Sequence, residues 1–437
     1  MSRTSFLQDL LATIFERSAP RTASDDLRSM EELCAALISE RGEASGFSIA
    51  TAILDRYEKG SRQQKAEFFR LLTDAHDLDA GAVAAAAEAY KASPDATTLA
   101  RLVEEAEPPR QELLRRLNRL PGATGRLVEM RGDLLSLVHE TPSFRRADLD
   151  FQHLFMSWFN RGFLVLRPID WATPANILEK IIAYEAVHSI NSWEELRRRL
   201  QPTDRQCFAF FHPAMPDEPL IFVEVALTAG IPGSIDALLS EDRQPIAADA
   251  ATTAVFYSIS NCQKGLAGIS FGNFLIKQVA TDLMQSLPNL KTFVTLSPVP
   301  GLTRWMRREA QAEDGDEQHR ALLTHILEAK SADALAPHGK ELAALAAHYL
   351  VRAKRPDGLP LDPVARFHFG NGASLEKIHP TADLSEKGID QSCGVMVNYR
   401  YDLNTVETNH ELFAHRGEVV TTRAIKSMLG PEKPERS

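Results

Sequence analysis

Two short segments place a polar group of catalytic type beside apolar residues. TLSPVPG carries Ser297 at the end of an apolar run that Pro298 and Pro300 stop. ARFHFGNGASLEKIHP carries His368 inside a hydrophobic run that reads as a strand at a sheet edge, with Gly370 and Gly372 behind it to turn the chain. A serine and a histidine meeting at one sheet edge could transfer protons, because histidine is tuneable near neutral pH and a hydroxyl needs such a partner as its relay. Each also has a purely structural reading. Serines at strand ends form turns, and a lone histidine in an apolar run is commonly a satisfied core residue. His212 and His379, each followed by proline, read as loop formers.

A third segment, VFYSISNCQKGLAGISFGNFLIKQV, covers residues 255–279 and reads as strand, glycine loop and helix. Its first six residues alternate β-branched or aromatic residues with serines, whereas Phe274, Leu275, Ile276 and Val279 recur at helical spacing. Gly265, Gly268 and Gly272 permit positive φ and a close approach of main-chain N–H groups to something outside. Such a loop opening a helix offers donors and a positive dipole end to an anion, commonly a phosphate. The same glycines also serve where a helix simply packs on a sheet, and the segment by itself leaves both readings open.

The elements that must position these groups fall into two halves. From residue 5 to about 155, apolar residues recur at i, i+3, i+4 and i+7, as in DDLRSMEELCAALISE, TAILDRYEKGSRQQKAEFFRLLTDAH and RQELLRRLNRL. Ser61 is a start signal, and Ser93-Pro94-Asp95 and Pro121-Gly122 are breaks. An all-α domain over 1–158 is predicted, with the Ala84–Ala87 run acting in small-residue helix packing. After about residue 160, GFLVLRPI, QCFAFFHP, PLIFVEVALT, AVFYSIS, KTFVTLSP and GVMVNYRYD read as six strands. ANILEKIIAYEAV, SWEELRRRL and FLIKQVATDLMQSL read as helices between them. The fold class is therefore α+β: a mixed α/β domain over 159–437 follows the helical one. A helical insertion at about 304–352 returns the chain to the sheet edge at ARFHF.

At 437 residues the chain is long for a single core, and 44% hydrophobic with 25% charged residues is ordinary for a globular protein. A net charge of −10 argues against a general nucleic-acid binder, which needs a basic surface. Cys34, Cys207, Cys262 and Cys393 form no C-x-x-C pair and read as reduced packing cysteines. Neither H-x-x-x-H nor H-E-x-x-H occurs, so no metal site is indicated. No apolar run approaches the roughly 20 residues of a membrane span. MSRTSFLQDLLATIFERS has no cleavable apolar core, and PEKPERS carries no peroxisomal address. A cytoplasmic protein without membrane or nucleic-acid partners is expected.

Six segments in order, EAVHSINSWEELRRRL, EPLIFVEVALT, FYSISNCQKGLAGISFGNFLIK, TLSPVPG, PVARFHFGNGA and SCGVMVNYRY, closely resemble malonyl-CoA decarboxylase between about Leu154 and about Asp402. The resemblance implies a helical oligomerisation domain, forming a dimer or tetramer, and a catalytic domain of the GNAT (N-acetyltransferase) fold. It implies conversion of malonyl-CoA to acetyl-CoA and CO2 with no cofactor, the coenzyme A moiety being part of the substrate. Ser297 and His368 are implied as catalytic, and Ser258, Tyr401 and Asn371 as substrate-binding. Gln263, Lys264, Gly265, Leu266, Ala267 and Gly268 are implied at the coenzyme A pyrophosphate. The general acyltransferase loop pattern is met approximately, with glycines at 265 and 268. Vertebrate members carry a glutamate where this chain has Ser270, so the chain does without that carboxylate or uses another acid. An acyl-CoA-dependent N-acyltransferase of the same fold and a coenzyme A-sensing scaffold are the alternative functions.

Overall fold

The computed structural model describes residues 26–39, 43–269, 275–312 and 317–430. The N-terminal segment to residue 25, Ser270, Gly272, Phe274 and the PEKPERS tail lie outside the described residues. Two compact units emerge. The first holds the chain up to Val165 with Phe211–Leu220 and the loop that begins at Gln263; the second holds Leu166–Phe210, Ile221–Cys262 and the described residues from 275 on.

The first unit is helical: α1 (Met30–Ser39), α2 (Glu43–Lys59), α3 (Arg62–Asp74), α4 (Ala80–Ala92), α5 (Ala96–Glu105), α6 (Pro109–Leu117), α7 (Ala123–Leu137) and α8 (Arg145–Trp158). The break signals act as caps. Ser61 starts α3 with a reciprocal capping box to Gln64, Asp95 accepts the Thr97 and Thr98 N–H groups at the head of α5, and Gly122 takes a left-handed conformation before α7. Leu72, Leu113, Leu117, Leu127, Leu134, Phe144, Phe151 and Phe155 bury the apolar stripes. Within the Ala84–Ala87 run only Ala86 is buried, so small-residue packing involves one position and not four.

The mixed domain is built on an eight-stranded sheet among the described residues: β1 (Val165–Ile169), β2 (Arg205–His212), β3 (Met215–Thr228), β4 (Thr253–Asn261), β5 (Thr292–Thr295), β6 (Ser297–Pro298), β7 (Ser374–His379) and β8 (Met396–Arg400). Their order is β1-β2-β3-β4-β5-β8-β6, with β7 on β8. Helices α9 (Ala175–Tyr184) and α10 (Trp193–Leu200) precede β2, and α11 (Leu275–Ser286) precedes β5. The insertion forms α12 (Leu302–Ala310), α13 (Glu317–Glu328) and α14 (Gly339–Val351). The α+β class holds, and the antiparallel β3–β4 pair leading to the parallel β4–β5 pair fits the acetyltransferase-type sheet that the resemblance implies.

That parallel pair positions the site. β4 and β5 run side by side from Thr253/Thr292 to Phe256/Thr295, and the Leu296 N–H donates to the Phe256 oxygen at 3.0 Å. Beyond that link β4 continues to Asn261, while the other chain re-pairs with β8 as β6, Ser297 facing Val397. KTFVTLSP is thus two strands broken at Leu296, not one. Alternation then sorts the side chains. Val255, Tyr257, Val294, Leu296 and Met396 join one apolar cluster with Ala226, Ile235 and Leu238. Phe256, Thr295, Ser297, Tyr399 and Tyr401 are displaced by one residue and take the opposite face, and a bulge at Tyr257 breaks the alternation of β4 before Ser258.

ARFHF is not a strand. Residues Pro363–Gly370 form helix α15, and the sheet resumes at β7, which the sequence reading missed. Asp362 caps this helix, its Oδ1 accepting the Ala365 N–H at 2.8 Å, and Pro363 occupies the first helical position. Ala365, His368 and Phe369 are buried at helical spacing. Aromatic side chains around His368 mimic a strand pattern, but the Asp-Pro start decides the local conformation.

A tight turn joins α15 to β7. Gly372 has φ +79°, and a Cβ there would meet the Val406 carbonyl oxygen at 1.9 Å. Gly372→Ala should therefore destabilise the fold by roughly 3 kcal/mol, from backbone strain plus displacement of that carbonyl. Urea titration of the two proteins measures the difference, and equal midpoints would mean that the turn tolerates a side chain.

Candidate active site

Ser297, His368 and Tyr401 come together. The Ser297 hydroxyl lies 3.2 Å from His368 Nε2, and the Tyr401 hydroxyl lies 2.8 Å from His368 Nδ1. Ser297 donates in turn to Thr295 Oγ1 at 2.8 Å, an oxygen that also accepts the Tyr399 N–H at 3.1 Å. The His368 ring stacks on Tyr399 with centroids 4.3 Å apart, a contact worth about 1 kcal/mol beyond the area it buries. Behind this row, the Asn398 amide donates to the Thr295 carbonyl at 2.8 Å, and Asn398 Oδ1 is held by His379 Nε2. His379 ends strand β7, buried, and is not the loop former its following proline suggested.

Burial controls the electrostatics. His368 is 2% exposed and Ser297 5%. Desolvation pushes the imidazole pKa down to about 3 and drives the Tyr399 and Tyr401 phenols far above their ordinary range. At neutral pH the imidazole is uncharged, with one donor and one acceptor nitrogen. If Nε2 carries the proton, every bond is satisfied in one direction: Tyr401 donates to His368, His368 to Ser297, and Ser297 to Thr295. The chemistry open to this series is hydrogen-bond donation and proton relay through a hydroxyl.

The other expected site residues are placed differently. Ser258, two residues beyond Phe256 on β4, donates to the Glu185 carboxylate at 2.7 and 2.8 Å. Glu185 also accepts the Val187 and His188 N–H groups, each at 2.8 Å. A bulge at Tyr257 separates Phe256, the aligned partner of Thr295, from Ser258, which pairs with Glu224, so Ser258 leaves the face that carries Ser297. Asn371 sits at the C-cap of α15, where its amide donates to the Phe367 carbonyl of its own helix. Sequence reasoning missed Thr295, Tyr399 and Glu185. The i, i+2 spacing from Ser297 and Tyr401 was the available signal for the first two, whereas Glu185 lay in a quoted segment with nothing to mark it.

In the helical unit, the 263–268 loop contains a short 3-10 turn, Lys264–Leu266. Gly265 and Leu266 are buried, and a Cβ on Gly265 would fall 1.7 Å from the Val128 carbonyl oxygen. Gly265 therefore serves close packing on α7. The Gln263 amide donates to the Pro219 carbonyl at 3.1 Å. Lys264, Ala267 and Gly268 are exposed, and Gly268 has φ +78° with open space beside it. The four cysteines are buried and none is in a disulfide, and no described helix is long and apolar enough to cross a membrane.

Residues 162–437 match the family model of the malonyl-CoA decarboxylase C-terminal domain, and residues 76–159 match that of its N-terminal domain. The protein of Anser anser anser named malonyl-CoA decarboxylase, mitochondrial, is 36% identical over 347 residues, covering 72% of this chain and 68% of its own length. That of Mus musculus with the same name is 31% identical over 456 residues, covering 95% and 90%. Among solved structures, malonyl-CoA decarboxylase from Rhodopseudomonas palustris aligns with a TM-score of 0.86 at 49% identity, covering 93% of this chain and 100% of that one. The enzyme from Agrobacterium vitis aligns with a TM-score of 0.87 at 51% identity, covering 92% and 100%.

The buried imidazole makes stability depend on pH. In the unfolded chain His368 takes up a proton below about pH 6.5, whereas in the folded chain it does so only near pH 3. Between those values the unfolded state binds more protons, so stability falls as pH falls through that window. His188, pushed down to about 4 by burial, acts in the same sense. His76, His212 and His379 are also lowered by burial, and His368→Gln removes one contribution among these: urea midpoints measured from pH 7 to pH 4 should decline less steeply in the variant. Parallel curves would show that the imidazole is protonated in the fold.

Proposed function

The chain belongs to the malonyl-CoA decarboxylase family, and we propose that it releases CO2 through a thioester enolate protonated by Ser297, with His368 and Tyr401 as the relay behind it. It is a carboxy-lyase acting on malonyl-CoA. Breaking the bond between the α-carbon and the carboxylate leaves an electron pair that delocalises onto the thioester oxygen, so the substrate is its own electron sink. Donors already in place stabilise that charge without reorganising. The observation that carries the reading is the Tyr401–His368–Ser297 series of hydrogen bonds in a buried setting.

With both His368 nitrogens engaged, we assign Ser297 to the reacting carbon. The Ser297 hydroxyl turns from Thr295 to the substrate and its proton forms the new C–H bond, the Nε2 proton refills the serine oxygen, and the Tyr401 proton moves to Nδ1. Solvent restores the phenol. A thioester enolate is a much stronger base than a phenolate, so the transfer runs downhill even though burial keeps Tyr401 protonated at rest. Ser258, held by Glu185, and Asn371 are assigned to the substrate. Binding energy from the nucleotide and pantetheine holds the carboxylate out of the thioester plane, where the breaking bond overlaps the π-system.

The exposed side of the 263–268 loop is assigned to the coenzyme A pyrophosphate. Residues 1–158 are assigned to oligomer contact and 159–437 to catalysis. Leu99 and Val103 on α5, exposed in the single chain, are apolar surface that such a contact would cover.

CO2 release from malonyl-CoA with no acceptor added tests the activity; a requirement for an amine acceptor would replace it with acyl transfer. For the mechanism, Ser297→Ala and His368→Gln should each lower single-turnover CO2 release on the order of 10²-fold to 10⁴-fold. The double variant should be little worse than either, because members of one proton-transfer unit are non-additive. Losses that multiply independently, or a near-native rate in either single variant, would remove the relay.

A further inference from the structure

We propose that Arg131, a residue of the helical region, positions the glycine loop by holding two of its carbonyl oxygens inward, so that the Gly268 N–H is aimed outward at the coenzyme A pyrophosphate. This inference rests on the reading of the loop given above. Arg131 lies on α7 and is 1% exposed. Its Nη1 donates to the Gly265 oxygen at 2.7 Å and to the Ala267 oxygen at 2.9 Å, residues more than 130 positions away. Its Nε donates to Asp148 on α8 at 2.8 Å, and the guanidinium lies 6.0 Å from the centre of the Phe155 ring. Taking a cation out of water is costly unless its donors are matched. Here one carboxylate and two carbonyls match them, and both carbonyls belong to the loop.

The geometry of the peptide group turns that grip into a direction. In a trans peptide the N–H points opposite to the preceding carbonyl. Within the loop the Leu266, Ala267 and Ile269 N–H groups are spent on turn bonds to Gln263, Lys264 and Leu266. The Gly268 N–H makes no such bond among the described residues. Its peptide partner is the Ala267 carbonyl, which Arg131 pulls toward α7, so the N–H is turned away from the helix. Gly268 is exposed, and its φ of +78° is a conformation that few other residues adopt at low cost. Gly265 supports the same orientation by letting the loop close onto the Val128 carbonyl. A lysine could neutralise Asp148, but its point charge does not reproduce a planar fork that serves a carboxylate and two carbonyls together.

The test compares Arg131→Met and Arg131→Lys with the parent enzyme, using malonyl-CoA and the malonyl thioester of N-acetylcysteamine, which has the reacting group but no pyrophosphate. In the Met variant, KM for malonyl-CoA and Kd for coenzyme A by calorimetry should rise by about tenfold or more, the size of one charge-assisted hydrogen bond. Its kcat should stay within about threefold, because the remaining nucleotide and pantetheine contacts still hold the substrate, and kcat/KM for the short thioester should not change, because that substrate has no group to reach the loop. The Lys variant, which keeps the charge beside Asp148 if the Met variant fails to fold, should fall between. Equal impairment with both substrates would make Arg131 merely structural, and unchanged coenzyme A affinity would remove it altogether. Gly268→Val separates this inference from the one beneath it. If that variant binds coenzyme A normally, the loop reading fails; if it binds weakly while the Arg131 variants bind normally, the loop reading stands and the assignment of Arg131 falls.

Discussion

An imidazole taken almost wholly out of water cannot keep a charge at neutral pH, and it must find one acceptor and one donor within reach. His368 meets that condition through Ser297 on one nitrogen and Tyr401 on the other. Much of the surrounding structure follows from the requirement. Tyr399 supplies a flat surface for the ring, and its own N–H goes to the Thr295 hydroxyl that takes the Ser297 proton. Asn398 fixes the Thr295 carbonyl, and His379 fixes Asn398. Each polar group is oriented by the next, which is how a buried network becomes rigid.

The place where this network can exist is set by the sheet. A continuous ladder would leave no room for a substrate, and its backbone groups would all be spent on each other. The β4–β5 pair stops after Phe256 and Thr295, and from there the strands part. Strand alternation has by then separated the two faces, with the apolar cluster around Val255, Leu296 and Met396 on one side. On the other face Thr295, Ser297, Tyr399 and Tyr401 gather around His368, while beyond the bulge at Tyr257 Ser258 is held by Glu185. Glu185 is the carboxylate bonded to Ser258 in a chain that has serine at position 270.

The helical unit shows a different use of the same chemistry. Two glycines three residues apart meet unlike needs: Gly265 lets the chain press against a helix carbonyl, and Gly268 lets it turn through positive φ into solvent. A buried arginine holds the turn from behind. Loop conformation here is decided less by the loop's own residues than by what α7 presents to it.

Sequence alone determined the division into a helical and a mixed half, the positions of the main strands and the helical caps, because periodicity and capping are local properties. Ser61, Asp95 and Pro121-Gly122 act where they do for reasons contained in a few neighbouring residues. The pair Ser297 and His368 was visible as two residues of the right chemistry, and the resemblance put them in one site. Their meeting was a tertiary fact, since 71 residues separate them. Tertiary structure also decided that the His368 segment is helical, because aromatic residues satisfy either periodicity and only the cap and the buried face choose between them. It decided that Glu185 binds Ser258 and that Arg131 grips the 263–268 loop. Neither charged side chain looks different from a solvated one in sequence, since what distinguishes it is the desolvation imposed by distant parts of the chain.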